Sequence, residues 1–255
     1  MLSKNDIESA LELGLTLEET AKTLGCHVQT LREYMRKYDI FSSYIRKSNG
    51  VRKLSLNEDY FNEIDNERKA YFLGLLFSDG WVTDRTIGIR LIESDSEVIF
   101  AMKDDMKSEH KVYKKDGKGL RKNQMGIEFC SVKMVKSLER YGLYQKKSHT
   151  LKINFDSIPE AYHKDILRGV FDGDGSFCNN QPCIATSSET FKDQIVDKCF
   201  GYTGIKPYVN CQGKSNYRVY FRKNNFPFVC YLYLGSNIGI FRKAESFNNL
   251  YNLWK

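Results

Sequence analysis

Two short stretches place acids where an apolar run ends. "FLGLLFSDGWV" covers Phe72 to Val82, and "LRGVFDGDGSF" covers Leu167 to Phe177. In each, an aliphatic segment with a glycine near its start closes on an aspartate, Asp79 or Asp174, that precedes another glycine. One such stretch reads as a helix that stops in an Asp-Gly turn. Two of them, 95 residues apart, read as a repeated device. A lysine follows each acid at a similar distance, Lys146 at 67 residues from Asp79 and Lys243 at 69 from Asp174. These residue types can bind hard cations and stabilise anions. The local sequence alone does not choose between that chemistry and a turn.

The elements that must position these residues repeat as well. After Asp79 come strand-like "WVTDRTIGIRLI", helical "SEVIFAMKDDMK", strand-like "KVYKKD" and "MGIEFCS", and helical "VKMVKSLERYG". After Asp174 come "SFCNNQPCIATS", "SETFKDQIVDKCF", "KPYVNCQG" with "YRVYFRK", and "FPFVCYLYLGS" in the same order. Each half ends in a basic cluster, "LYQKKS" or "IFRKAE". The spacing predicts an α+β chain with two α-β-β-α-β-β-α repeats, 59–158 and 159–255. Alternation in "YRVYFRK" puts Arg218, Tyr220 and Arg222 on one strand face, with Val219 and Phe221 on the other. Arg85, Arg90, Lys114, Arg121 and Lys122 stand in comparable places in the first half. A solvated polar sheet face would show the same alternation.

The segment 1–44 reads as helical. In "LTLEETAKTLGCHVQTLREYMRKY", Thr16 can cap a helix from Leu17, Gly25 can make a turn, and a second helix starts near His27. The pattern resembles a small helix-turn-helix DNA-binding module, with an ordinary helical hairpin as the alternative. The resemblance implies that His27, Gln29, Thr30, Arg32 and Arg36 face the major groove. A basic linker, 45–58, carries Arg46, Lys47, Arg52 and Lys53 and is suited to lie along a phosphate backbone or to be solvated.

"FLGLLFSDG" and "LRGVFDGDG" resemble the two signature helices of LAGLIDADG homing endonucleases, and the likeness extends from about Tyr60 to the C-terminus. Small residues at i, i+4 spacing, Gly74 with Ser78 and Gly169 with Gly173, suit two helices whose backbones touch. The resemblance implies a saddle-shaped DNA-binding sheet over a pair of metal ligands, Asp79 and Asp174. Two close carboxylates repel, and a divalent cation relieves that repulsion. Mg²⁺, or another divalent cation, is the expected cofactor. Lys146 and Lys243 take the family's place for a cation near the scissile phosphate, with Lys147 and Arg242 as neighbouring alternatives. The family often has an acid at the sixth motif position; Asp172 fits and Phe77 does not, so the halves are not equivalent.

Composition excludes other classes. A net charge of +7 favours a polyanionic partner. Seven scattered cysteines with no Cys-x-x-Cys pattern argue against a zinc site or disulfide framework and suggest reduced thiols in a cytoplasm. The charged opening "MLSKNDIESALEL" does not read as a signal peptide, and no apolar run reaches the roughly 20 residues that span a bilayer. The resulting expectation is a monomeric, Mg²⁺-dependent, site-specific endonuclease acting on a long, asymmetric double-stranded DNA site. The alternative is a non-cleaving DNA- or RNA-binding protein of the same fold, a transcription regulator or an intron maturase; an intein endonuclease fits poorly, since no splicing segment is evident.

Overall fold

The computed structural model describes residues 2–13, 15–40, 54–117, 119, 121–145, 149–213 and 215–255. Arg46, Lys47, Arg52, Lys53, Lys146 and Lys147 therefore lie outside the described residues. The chain divides into two units, 1–54 and 55–255.

The described residues of the first unit form three helices, α1 (Lys4–Glu12), α2 (Leu17–Thr23) and α3 (Val28–Lys37). Ser3 with Asp6, and Thr16 with Glu19, form reciprocal capping boxes that satisfy the first amides of α1 and α2. Gly25, at φ 63°, takes the left-handed turn between α2 and α3. Ile7, Ala21, Leu31, Met35 and Ile40 make the core. Helix α1 adds to the two helices expected from sequence, and its Ile7 is fully buried in this core.

In the second unit, α4 (Glu67–Ser78) leads into β1 (Gly80–Val82) and β2 (Thr86–Ile92). Then come α5 (Glu97–Asp105), β3 (Tyr113–Lys115), β4 (Gln124–Cys130) and α6 (Val132–Glu139). The second repeat follows the same order: α7 (His163–Asp174), β5 (Gly175–Ser176), β6 (Cys183–Thr186), α8 (Glu189–Thr203), β7 (Tyr208–Cys211), β8 (Tyr217–Tyr220) and α9 (Phe226–Tyr233). A further helix, α10 (Phe241–Trp254), has no counterpart among the described residues of the first repeat. The strands form two antiparallel sheets with matching orders, β1-β2-β4-β3 and β5-β6-β8-β7.

The core lies on one face of each sheet. Ile87, Ile89 and Leu91 of β2 pair with Phe129, Ile127 and Met125 of β4, and the first five of these are buried. Ile184 and Val219 do the same in the second sheet. The period-2 alternation leaves the opposite faces polar and aromatic. No helix among the described residues is long and apolar enough to cross a membrane.

Candidate active site and nucleic-acid interface

Helices α4 and α7 touch along their backbones. A Cβ on Gly74 would stand 2.1 Å from the Ile166 carbonyl oxygen, and one on Gly169 would stand 2.2 Å from that of Tyr71. Nothing larger than glycine fits at either position without moving backbone. Further along, Gly173 faces Ser78: a Cβ there would be 2.1 Å from Ser78 Oγ and 2.6 Å from Asp79 Oδ2. The carboxylate of Asp79 thus leans against the residue before Asp174. Asp79 is half-buried at the C-cap of α4, and Asp174, the last residue of α7, is exposed. A polar cleft of about 240 Å³ opens beside Asp174, lined in part by Ser78, Thr186, Ser187 and Asn216.

The donor set suits a hard cation that shares its ligands with substrate. The described residues hold no group of three or more His, Cys, Asp or Glu placed for a metal. Two carboxylates remain, each at the C-terminal end of its helix. Mg²⁺ is commonly held by one or two carboxylates, with water and substrate phosphate completing its octahedron.

Lys243 sits one residue from the candidate acid Asp174, on the Gly175 carbonyl. It lies in the first turn of α10, is 6% exposed, and its Nζ donates to the Gly175 carbonyl oxygen. Burial, and then the neighbouring Arg242, pull its ammonium below the usual lysine range, while the carboxylates of Asp172, Asp95 and Asp79 oppose that shift. Its strongest geometric role is therefore to tie α10 to the residue after Asp174. Lys146, its counterpart by offset, lies outside the described residues, and the offset from Asp174 to Lys243 ends in the first turn of α10. Arg242 is held elsewhere, with Nη2 2.7 Å and Nε 2.8 Å from Asp95 oxygens.

Asp172 is buried completely and sits at a junction of elements. Its carboxylate accepts from Tyr71 Oη at 2.7 Å, Tyr233 Oη at 2.6 Å and the Ile240 amide at 2.9 Å. Burial pushes its carboxyl above the usual range, against the pull of these three donors and of Arg168. Arg168, also buried, stacks on the Tyr71 ring at 4.5 Å. Asp172 is thus a packing hub that cements α7 to α4, α9 and the start of α10. The sixth motif position carries no counterpart in the first repeat, because Phe77 fills that place with apolar volume.

Of the strand residues singled out from sequence, Arg218 and Tyr220 share the outer face of the second sheet. Arg218 pairs with Ala185 and Asn210, and Tyr220 with Cys183 and Tyr208. Arg222, just past β8, stacks on the Tyr208 ring at 4.5 Å. In the first sheet, Arg90 lies on the outer face, with Tyr113 and Gly126 as its partners in the row. Lys114 does not share that face. Its register pairs it with Met125, on the core side at the sheet edge, and its Nζ meets Glu93 at 2.7 Å. A three-residue strand has too little alternation to set its phase from sequence; the ladder with β4 sets it, and puts Lys115 outward instead. Arg121 and Lys122 line a groove of about 640 Å³ with Lys115 and Gln124. Arg85 is exposed in the β1–β2 turn.

In the first unit, His27 caps α3 by accepting from the Gln29 amide at 3.3 Å, which occupies its Nδ1. Gln29, Arg32 and Arg36 are exposed and Thr30 is half-buried. Residues that sequence reading passed over are Trp81, Tyr113, Lys115, Glu128, Tyr208 and Asn210, all on the outer faces. Their signal in the sequence was alternation, too short in β3 and β7 to phase.

No protein-family model matches this chain, and no curated protein matches it. Solved structures do. The structure of I-DmoI in complex with DNA and Ca superposes with a TM-score of 0.50 at 11% identity, covering 76% of this chain and 99% of that one. The meganuclease I-SmaMI bound to uncleaveable DNA gives 0.51 at 10% identity, covering 72% of this chain and 89% of that one. At such identities the likeness shows a common fold, that of the LAGLIDADG homing endonucleases.

Proposed function

We propose that this chain, which has the LAGLIDADG homing-endonuclease fold, is a site-specific double-stranded DNA endonuclease. The observation that carries the reading is the glycine-mediated contact of α4 and α7, which brings Asp79 and Asp174 to the same end of the helix pair. Asp79 and Asp174 would hold a divalent cation there, and the neighbours I-DmoI with DNA and Ca, and I-SmaMI with DNA, support that use of the fold. The cation, when bound, neutralises phosphate charge and acidifies water. The chain's own groups do the rest. The Gly74 and Gly169 contact fixes the separation of the two acids, Lys243 anchors Gly175 beside Asp174, and the hydroxyls of Ser78, Thr186 and Ser187 line the cleft where water must be held. Lys146 is retained as the candidate cation near the scissile phosphate of the first half.

The outer sheet faces would lie in the major groove, with Arg90, Arg218, Tyr220, Arg222, Arg121 and Lys122 in contact with bases or phosphates. The faces differ between halves, so a single chain would read an asymmetric site as a monomer. The reading is tested by incubating the protein with a randomised plasmid library and Mg²⁺, then sequencing the ends. Cleavage at one long site, abolished by chelation, is the expected result. Binding without cleavage under every divalent cation would instead favour the non-cleaving regulator or maturase reading.

The first unit is proposed to extend the contact through Gln29, Thr30, Arg32 and Arg36, with His27 positioning α3, and through the linker cations Arg46, Lys47, Arg52 and Lys53. Removing residues 1–44 is expected to shorten the DNA footprint on one side and weaken binding, with the cut positions retained. An unchanged footprint on the truncated protein would leave these helices without a DNA role.

A further inference from the structure

The outer face of the first sheet holds a cluster that its sequence does not announce. Trp81 of β1 stands opposite Gly88, and Tyr113 of β3 stands opposite Gly126. Both aromatic rings lie over these glycines. A Cβ on Gly88 would fall 2.1 Å from Trp81 Cζ2, and one on Gly126 would fall 2.7 Å from Tyr113 Cζ. The two glycines are therefore seats for rings lying on the sheet. Arg90 reaches between the rings, with Cζ 5.2 Å from the Trp81 centroid and 5.7 Å from that of Tyr113. Its Nη2 donates to Tyr113 Oη at 3.1 Å.

This guanidinium is held but not neutralised. Among the ion pairs of the described residues none involves Arg90, and its Nε is enclosed without a hydrogen-bond partner. Aromatic faces attract the cation, but enclosing a donor without a partner has a cost that aliphatic packing would avoid. The arrangement leaves Nη1 and the second hydrogen of Nη2 as a fork whose plane is fixed in advance. A fixed planar fork matches a planar pair of acceptors, since little side-chain entropy remains to be lost on binding. Phosphate contacts suit freer side chains, which Lys115, Arg121 and Lys122 supply at the β3–β4 hairpin. Glu128, exposed on the same face in the Trp81–Gly88 row, would repel a phosphate and can instead accept from a cytosine amino group.

We infer that Arg90, clasped between Trp81 and Tyr113, reads a guanine through O6 and N7 in the half-site covered by the first sheet. The inference rests on the DNA-binding reading of that face. Its test is selection of bound sequences from a randomised duplex library by the wild-type chain, Arg90→Lys and Tyr113→Phe. The wild-type chain should enrich a G·C pair at one position. Arg90→Lys keeps the charge and loses the fork, and should relax that position by about 10- to 100-fold, with the other positions retained. Tyr113→Phe keeps the ring that packs on Gly126 and removes only Oη, so it should relax the same position by a smaller factor even if Arg90→Lys folds poorly. Affinity lost evenly at all positions, with a smaller salt dependence, would make Arg90 a phosphate contact and overturn the inference. Unaltered selectivity in both variants would overturn it too. If the wild-type chain enriches no sequence at all, the site-specific reading itself falls, and the role of Arg90 falls with it.

Discussion

Asp174→Asn is expected to leave DNA bound and uncut, and Asp79→Asn is expected to do the same. Each substitution preserves shape and removes one of the two charges that would hold the cation. Loss of the cation's charge stabilisation is worth several kcal/mol, and about 4 kcal/mol corresponds to roughly a thousandfold in rate. The expected readout is single-turnover cleavage of plasmid target, reduced by about that factor, with the dissociation constant within a fewfold of wild type. The two variants need not behave identically. Asp79 is half-buried with Oδ2 close to Gly173, whereas Asp174 is exposed beside the polar cleft. One variant is therefore expected to pass through a longer-lived nicked circle than the other. Cutting at the wild-type rate by either variant would remove that acid from the site. Parallel loss of binding and cutting would instead mark a structural acid.

Gly169→Ala should produce the largest loss of stability. The added methyl would meet backbone on every side, with Tyr71 O at 2.2 Å, Leu75 N at 2.9 Å and the Gly74 Cα at 3.0 Å. Backbone cannot rotate away as a side-chain end can, so the helices must separate. Overpacking of this kind costs about 3 kcal/mol, and the helix pair lies at the centre of the larger core. For a unit of this size that predicts a fall in Tm of about 10 °C. Gly201→Ala is the matched control: it lies in α8, has nothing within 4 Å of the added atom, and is expected to raise stability by up to about 1 kcal/mol. Thermal unfolding of the two variants side by side checks both. Equal Tm values would show that α4 and α7 are not in the backbone contact on which the placement of Asp79 and Asp174 depends.

Much of this chain could be read from sequence because the signals are local or repeated. The apolar run before each aspartate, the small residues at Gly74, Ser78, Gly169 and Gly173, and the strand-helix order after each motif all rest on spacings of a few residues. Repetition then separates them from accident. The α2–turn–α3 segment was legible for the same reason, since a cap at Thr16 and a left-handed Gly25 are properties of neighbouring residues. What the sequence by itself determined was therefore the kind and order of the elements within each repeat, α1 and α10 apart, and the two acids that end the paired helices. Tertiary structure alone decided which side chains meet. Lys114 and Lys115 exchange faces because a three-residue strand takes its phase from the β4 ladder. Lys243 turns inward because α10 packs against the residue that follows Asp174. Asp172 becomes a buried hub only where Tyr71, Tyr233 and Ile240 converge from separate elements. The Arg90 clasp needs rings from β1 and β3 and glycines from β2 and β4. The partners of Asp172 and Lys243 lie 61 to 101 residues away, and in every case the contact is set by strand register or helix packing, which no local pattern encodes.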